Sequence, residues 1–163
     1  MRDVTVEDAM TRSVWTVHPS DSLEKAMSVL RRNGISGLPV TDARGVVVGV
    51  LSEKDIARVL SESLGENSSY LLEVLVHTSP RAGRQKPNPR IADGEAKEII
   101  RSTLTSVTVA EAMSPDPVVI GPEAPLDSAA RILKERGINR LPVVERGKLV
   151  GILTRHDVLS AWI

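Results

Sequence analysis

The chain contains one passage twice. Val4-Thr5-Val6-Glu7-Asp8-Ala9-Met10 returns as Val107-Thr108-Val109-Ala110-Glu111-Ala112-Met113. At the same offset of 103 residues, Pro19, Leu23, Ala26, Leu30, Gly34, Ile35, Leu38, Pro39 and Val40 answer to Pro122, Leu126, Ala129, Leu133, Gly137, Ile138, Leu141, Pro142 and Val143. The second copy then drops one residue near Ala43, after which Arg44, Gly45, Val48, Gly49, Leu51 and Asp55 pair with Arg146, Gly147, Val150, Gly151, Leu153 and Asp157. The alignment holds 20 identities over 56 paired positions, where unrelated segments of this composition give about four. Both copies must therefore build the same elements. A copy of about 55 residues is too small to bury a good core alone, so the two are expected to pack as one module.

The elements follow from periodicity. Residues 14–17 and 117–120 are short β-like runs. Leu23, Ala26, Met27 and Leu30 lie at i, i+3, i+4 and i+7, one helical face, and Leu126, Ala129, Ala130 and Leu133 repeat it. Asp21 with Glu24 has capping-box spacing, Pro125 suits a first helical position, and Gly34 and Gly137 suit the residue past a helix end. Strands are expected at Leu38 to Val40 and Leu141 to Val144. Hairpin turns follow at 42–45 and 145–148, then buried strands over 46–51 and 149–153. A last helix starts at Ser52 or Thr154, with Ile56, Val59 and Leu60, or Val158, Leu159 and Trp162, facing inward. The expectation is α+β: two β-α-β-β-α motifs over 1–60 and 107–163, packed about a pseudo-twofold axis. Residues 61–106 between them match neither copy. They read as helical at 70–76 and from Ala96 to Leu104, with a basic, proline-rich loop over 79–90.

Composition removes whole classes of function. With no cysteine among 163 residues, disulfides, thiolate zinc sites, iron–sulfur clusters and cysteine nucleophiles are excluded. Lys plus Arg equals Asp plus Glu at 21 each, so no global field draws the chain to nucleic acid or an acidic membrane. The longest apolar run, Val46 to Leu51, is far short of a membrane span. No secretory h-region follows Met1, and a cytoplasmic location is expected. Phe is absent and only two Trp and one Tyr occur, too few for base-stacking platforms. His18 and His77 stand isolated, so no metal site is expected. No dinucleotide fingerprint, P-loop, zincin motif or nucleophile–base set is present, and an enzyme is not expected.

The repeated motifs resemble those of a tandem pair of cystathionine-β-synthase (CBS) domains, a Bateman module. The resemblance rests on Asp8-Ala9-Met10 and Glu111-Ala112-Met113, on Gly34 to Val40 and Gly137 to Val143, and on Gly49 to Asp55 and Gly151 to Asp157. It covers all but the central insert and the extreme ends. It implies a regulatory module that binds an adenosine-containing ligand (AMP, ADP, ATP, S-adenosylmethionine or NAD) in clefts between the motifs. The ligand is regulatory, not a catalytic cofactor, and the module would control a partner protein as yet unidentified. It also implies a homodimer, with pairing expected through Met27, Leu60, Ala130 and Trp162.

Site residues carry over position by position. Ser52 and Asp55, with Thr154 and Asp157, are expected at the ribose. A carboxylate accepts from both hydroxyls of a diol, and the free N–H groups of the following helix favour phosphate. The same Ser/Thr-x-x-Asp spacing is also that of a helix cap. Arg140, Arg155 and His156, with Lys54 in the first copy, are expected at phosphate. Gly37, Glu53 and Lys54 are their counterparts, so the second site is the more cationic. Thr16, Val17, His18, Val119 and Ile120 align with the family's adenine-contacting segment, and Ile35, Leu38, Ile138 and Leu141 would form apolar walls or strand core. Gly49 and Gly151 would let a ligand approach the strand. Two alternatives remain: a ligand-independent dimerisation or docking scaffold, and a nucleic-acid-binding regulator acting through basic residues 80–90.

Overall fold

A computed structural model of the chain describes residues 4–65 and 94–161. The expected helix at 70–76, the basic loop, His77 and Trp162 lie outside these residues. The first repeat forms α1 (Val6–Ala9), α2 (Leu23–Asn33), β1 (Gly37–Thr41), β2 (Val47–Ser52) and α3 (Glu53–Leu64). Helix α4 (Gly94–Ser106) precedes the second repeat. That repeat forms α5 (Val109–Ala112), β3 (Ser114–Pro115), α6 (Leu126–Glu135), β4 (Arg140–Glu145), β5 (Lys148–Thr154) and α7 (Arg155–Ser160). The strands make one sheet in the order β1-β2-β3 and an antiparallel pair β4-β5. The architecture is mixed helix and strand with the motif present twice, as the repeat requires.

Local chemistry explains most boundaries. Helix α2 ends where Gly34 takes φ 61°, the left-handed conformation that glycine adopts without steric cost. Its start differs from expectation. Ser22, not Asp21, is the cap: the Ser22 hydroxyl accepts from the Lys25 amide at 3.2 Å, and Asp21 instead pairs with Lys25 Nζ at 2.8 Å. Pro125 likewise stands at the cap of α6, one position before the helix. The expected strands at 14–17 and 117–120 shrink to single parallel bridges, Val17 with Val40 and Ile120 with Val143. Both neighbouring helices, α1 and α5, were unforeseen, although each follows a capping box. Asp8 Oδ2 accepts from Thr5 N–H and Oγ1 at 3.0 and 2.8 Å, and Glu111 Oε2 accepts from Thr108 N–H and Oγ1, both at 2.8 Å.

Backbone proximity divides the chain into two compact units. One holds the chain up to His18, Pro39–Val50 and everything from Pro115; the other holds Pro19–Leu38 and Leu51–Ser114. Neither unit is one repeat: the opening segment of each repeat is built into the other's elements, and the first repeat's hairpin, Pro39–Val50, also belongs to the unit of the second. In the first unit Val6 N–H donates to Ala124 O at 2.9 Å, Glu7 N–H to Pro122 O at 3.0 Å, and Leu126 N–H to Val4 O at 3.0 Å. In the second, the residues 103 positions away make the same bonds. Val109 N–H donates to Asp21 O at 2.8 Å, Ala110 N–H to Pro19 O at 2.9 Å, and Leu23 N–H to Val107 O at 3.0 Å.

Each unit has an aliphatic interior. In the first, Val6 and Met10 of the first repeat join Ile120, Leu126, Ala129, Leu133, Leu141, Val143, Leu153 and Val158 of the second. In the second, α4 lies against α2 and α3, and α5 against the same two helices, burying Leu23, Ala26, Leu30, Ile56, Leu60 and Val109. Two expectations fail here. Leu60 is 2% exposed and offers nothing to a dimer face, and Leu159, expected inside, is 59% exposed because Val158 takes the inner position of α7.

Gly151 has a packing task. A Cβ added there would land on Met10 Sδ and lie 3.0 Å from Met10 Cγ, so the glycine makes room for the Met10 side chain. Gly151→Ala is expected to cost about 1–3 kcal/mol through overpacking, with Met10→Ala recovering part of it in the double mutant; chemical denaturation of the three variants checks this. The Glu111 carboxyl is held below its ordinary value of 4.5 chiefly by the Thr108 backbone N–H, then by the Thr108 hydroxyl. A lowered native pKa adds stability that is complete above the ordinary value and lost as pH falls through the native one. Glu111→Gln is therefore expected to be less stable than the parent at neutral pH, with the gap closing in acid, as read from denaturation midpoints against pH.

Candidate functional site

The two Ser/Thr-x-x-Asp segments form helix caps in both repeats. Ser52 caps α3 and Thr154 caps α7. Asp55 Oδ2 accepts from Ser52 N–H and Oγ, both at 2.8 Å, and Asp157 Oδ2 accepts from Thr154 N–H and Oγ1, both at 2.7 Å. The hydroxyl of each cap accepts in return from the aspartate amide, at 3.4 and 3.2 Å. Capping therefore consumes one oxygen of each carboxylate and one amide of each first turn. Ligand chemistry is left to the other oxygen, Oδ1.

The repeats differ at that oxygen. Asp55 Oδ1 accepts from the Ser114 hydroxyl at 3.4 Å. Beside it Arg58 Nη2 donates to Ala112 O at 3.0 Å, so the segment 112–114 is tied to α3 twice. Asp157 Oδ1 accepts no hydrogen bond among the described residues. Thr11, the counterpart of Ser114, pairs through its backbone with Ile152, donating and accepting at 2.9 Å. The second-repeat carboxylate, on a half-buried residue, thus keeps one oxygen for an incoming donor.

The cations around Asp157 lie in the same unit. Arg140 stands directly across the β4-β5 ladder from Thr154, half-buried. His156, on the first turn of α7, is exposed. Arg155, also expected at phosphate, is engaged with backbone carbonyls: Nε donates to Ile138 O at 3.0 Å and Nη2 to Leu133 O at 3.3 Å. In the first repeat Lys54 is exposed next to an exposed Glu53.

The expected adenine residues fall into two groups. Val17, Ile120, Leu38 and Leu141 are 3%, 8%, 1% and 0% exposed, so their side chains are core. The backbones of Val17 and Ile120 are also committed: Val17 N–H donates to Pro39 O at 3.3 Å, and Ile120 N–H donates to Pro142 O at 3.1 Å. In extended chain alternate residues point their polar groups to opposite sides. Thr16 and His18, and Val119 in the second repeat, are accordingly the exposed members of these segments. Ile35 and Ile138 are half-buried and remain accessible as walls. Sequence reasoning missed the Ser114 contact and the destination of Arg155, neither of which has a local sequence signal. Among the described residues no group of three or more His, Asp or Glu is placed to hold a metal ion, and no helix is long and apolar enough to cross a membrane.

Comparison with known proteins bears on this geometry. The CBS domain family model matches residues 6–62 and 109–163. The chloroplastic CBS domain-containing protein CBSX2 of Arabidopsis thaliana is 35% identical over 161 residues, 96% of this chain and 63% of that protein; the chain thus spans under two thirds of that relative. A crystal structure of CBSX2 in complex with AMP superposes with a TM-score of 0.68 at 32% identity, covering 97% of this chain and 95% of that one. The CBS domain pair of MJ0100, in complex with 5′-methylthioadenosine and S-adenosyl-L-methionine, shares the fold with a TM-score of 0.68 at 20% identity, covering 99% of this chain and 97% of that one.

Proposed function

The chain belongs to the CBS-domain family and carries the domain twice, and on that premise we propose that it is a regulatory module that binds an adenosine-containing ligand at its second repeat. One observation carries the reading: Asp157 uses Oδ2 for the cap and holds Oδ1 ready for the two donors of a ribose diol. Thr154 shapes that carboxylate. Arg140, across the ladder, and His156 meet phosphate; Ile138, with the exposed edge at Val119, lies against the base. In the first repeat Ser52, Asp55 and Lys54 form the weaker counterpart. There Ser114 shares Asp55 Oδ1, and Glu53 opposes an anion. The complex of CBSX2 with AMP supports the ligand class. In this reading the module is not an enzyme. Occupancy is passed to a partner protein, and two copies of the chain pair.

A thermal-shift panel tests the ligand class. AMP, ADP, ATP, S-adenosylmethionine or NAD at 100 times its dissociation constant is expected to add about 2.7 kcal/mol of stability, with guanosine ligands adding less. No shift with any of them overturns the reading. Asp157→Ala is expected to cost about 1 kcal/mol of stability through the lost cap. It should also weaken ligand binding by about 1.5–3 kcal/mol through the lost charge-assisted bonds, whereas Asp55→Ala weakens binding less. Calorimetric titration of both variants reads the difference, and equal losses would place the ligand on both repeats alike.

A further inference from the structure

Arg155 has a donor arrangement that the ligand reading does not use. Its guanidinium spans two carbonyls, Ile138 O through Nε at 3.0 Å and Leu133 O through Nη2 at 3.3 Å, and its backbone N–H donates to Asn139 O at 3.1 Å. These carbonyls belong to the turn that ends α6. Gly137 sits there at φ 62°, Ile138 N–H closes back on Leu133 O at 3.1 Å, and Gly137 N–H on Lys134 O at 3.2 Å, the pairing of a Schellman motif. A cation on the last carbonyls of a helix is favoured by their partial negative charge. The planar fork of arginine reaches two acceptors at once, which the single ammonium of lysine does not reproduce. In the first repeat only the backbone part survives: Glu53 N–H donates to Ser36 O at 3.0 Å, and a glutamate side chain has no donor to continue the clasp.

The clasped turn leads straight into the site. Ile138 lies within it, and Arg140 follows it, opposite Thr154 in the ladder. We propose that Arg155 is a positioning residue of the second-repeat site: it fixes the turn 133–139 so that Ile138 and Arg140 are presented to the adenosine ligand, and it makes no contact with phosphate itself. This role rests on the ligand reading given above. It also accounts for a difference between the repeats other than net charge, since Glu53, the counterpart of Arg155, has no side-chain donor with which to hold the corresponding turn.

The test uses two ligands that differ only in phosphate. AMP and adenosine are titrated by calorimetry into wild type, Arg155→Gln and Arg155→Lys, and amide exchange at Gly137 and Ile138 is followed without ligand. Arg155 is exposed, so both variants are expected to fold, which thermal melting verifies. Both should exchange faster at the turn and bind AMP and adenosine more weakly by the same factor, about tenfold, leaving the ratio of the two affinities unchanged. Loss of AMP affinity alone in Arg155→Gln, restored in Arg155→Lys, would make Arg155 a phosphate contact and overturn the proposal. Unchanged affinities beside faster exchange would also overturn it, reducing the clasp to a staple of the fold. Wild-type protein that binds neither ligand overturns the ligand reading first, and this role with it, before any variant is measured.

Discussion

The fold depends on the exchange of opening segments between the repeats. Val6 N–H on Ala124 O and Val109 N–H on Asp21 O, with their neighbours, insert each short helix into elements of the other copy. The apolar anchors follow. Val6 and Val109 are fully buried, and Met10 occupies the space that Gly151 leaves open. A small repeat cannot exclude water from a core by itself. Exchange contributes to the solution by making each compact unit from both copies, and in the second unit α4 covers α2 and α3 as well.

The candidate site is built on the same economy of atoms. A capping carboxylate satisfies the N–H and hydroxyl of the residue three positions before it with a single oxygen, and among the described residues this happens four times, at Asp8, Asp55, Glu111 and Asp157. At α1 and α5 the box supports a helix of only four residues. At α3 and α7 it fixes a carboxylate whose second oxygen points elsewhere. Stability and recognition are thus divided between two atoms of one side chain, and the repeats diverge in what they do with the second atom.

Much of this was legible in the sequence. The repeat, the left-handed glycines at 34 and 137, both Ser/Thr caps and the inward faces of α2 and α6 follow from residue identity and helical spacing, because each is a local constraint. The exchange was not legible, since backbone hydrogen bonds between distant segments leave no side-chain signature. Leu159 was misplaced because two adjacent apolar residues leave the helical phase ambiguous, and packing chose Val158. Ser22 displaced Asp21 as the cap because boundary residues compete over one position. The positions of Asp157 and Arg140 in one region were readable from the family resemblance, but the direction of the Arg155 guanidinium depends on carbonyls seventeen and twenty-two residues earlier.

The reciprocity of the exchange has a bearing on how such a chain could arise. A single ancestral copy would have lacked the segment that closes it and could obtain one only from a second molecule, giving its own in return. The present protein therefore has the form of a domain-swapped dimer whose two subunits have been joined. In a single chain that encounter is intramolecular and independent of concentration. Within one chain the two halves need not be identical: one copy carries Glu53 where the other carries Arg155.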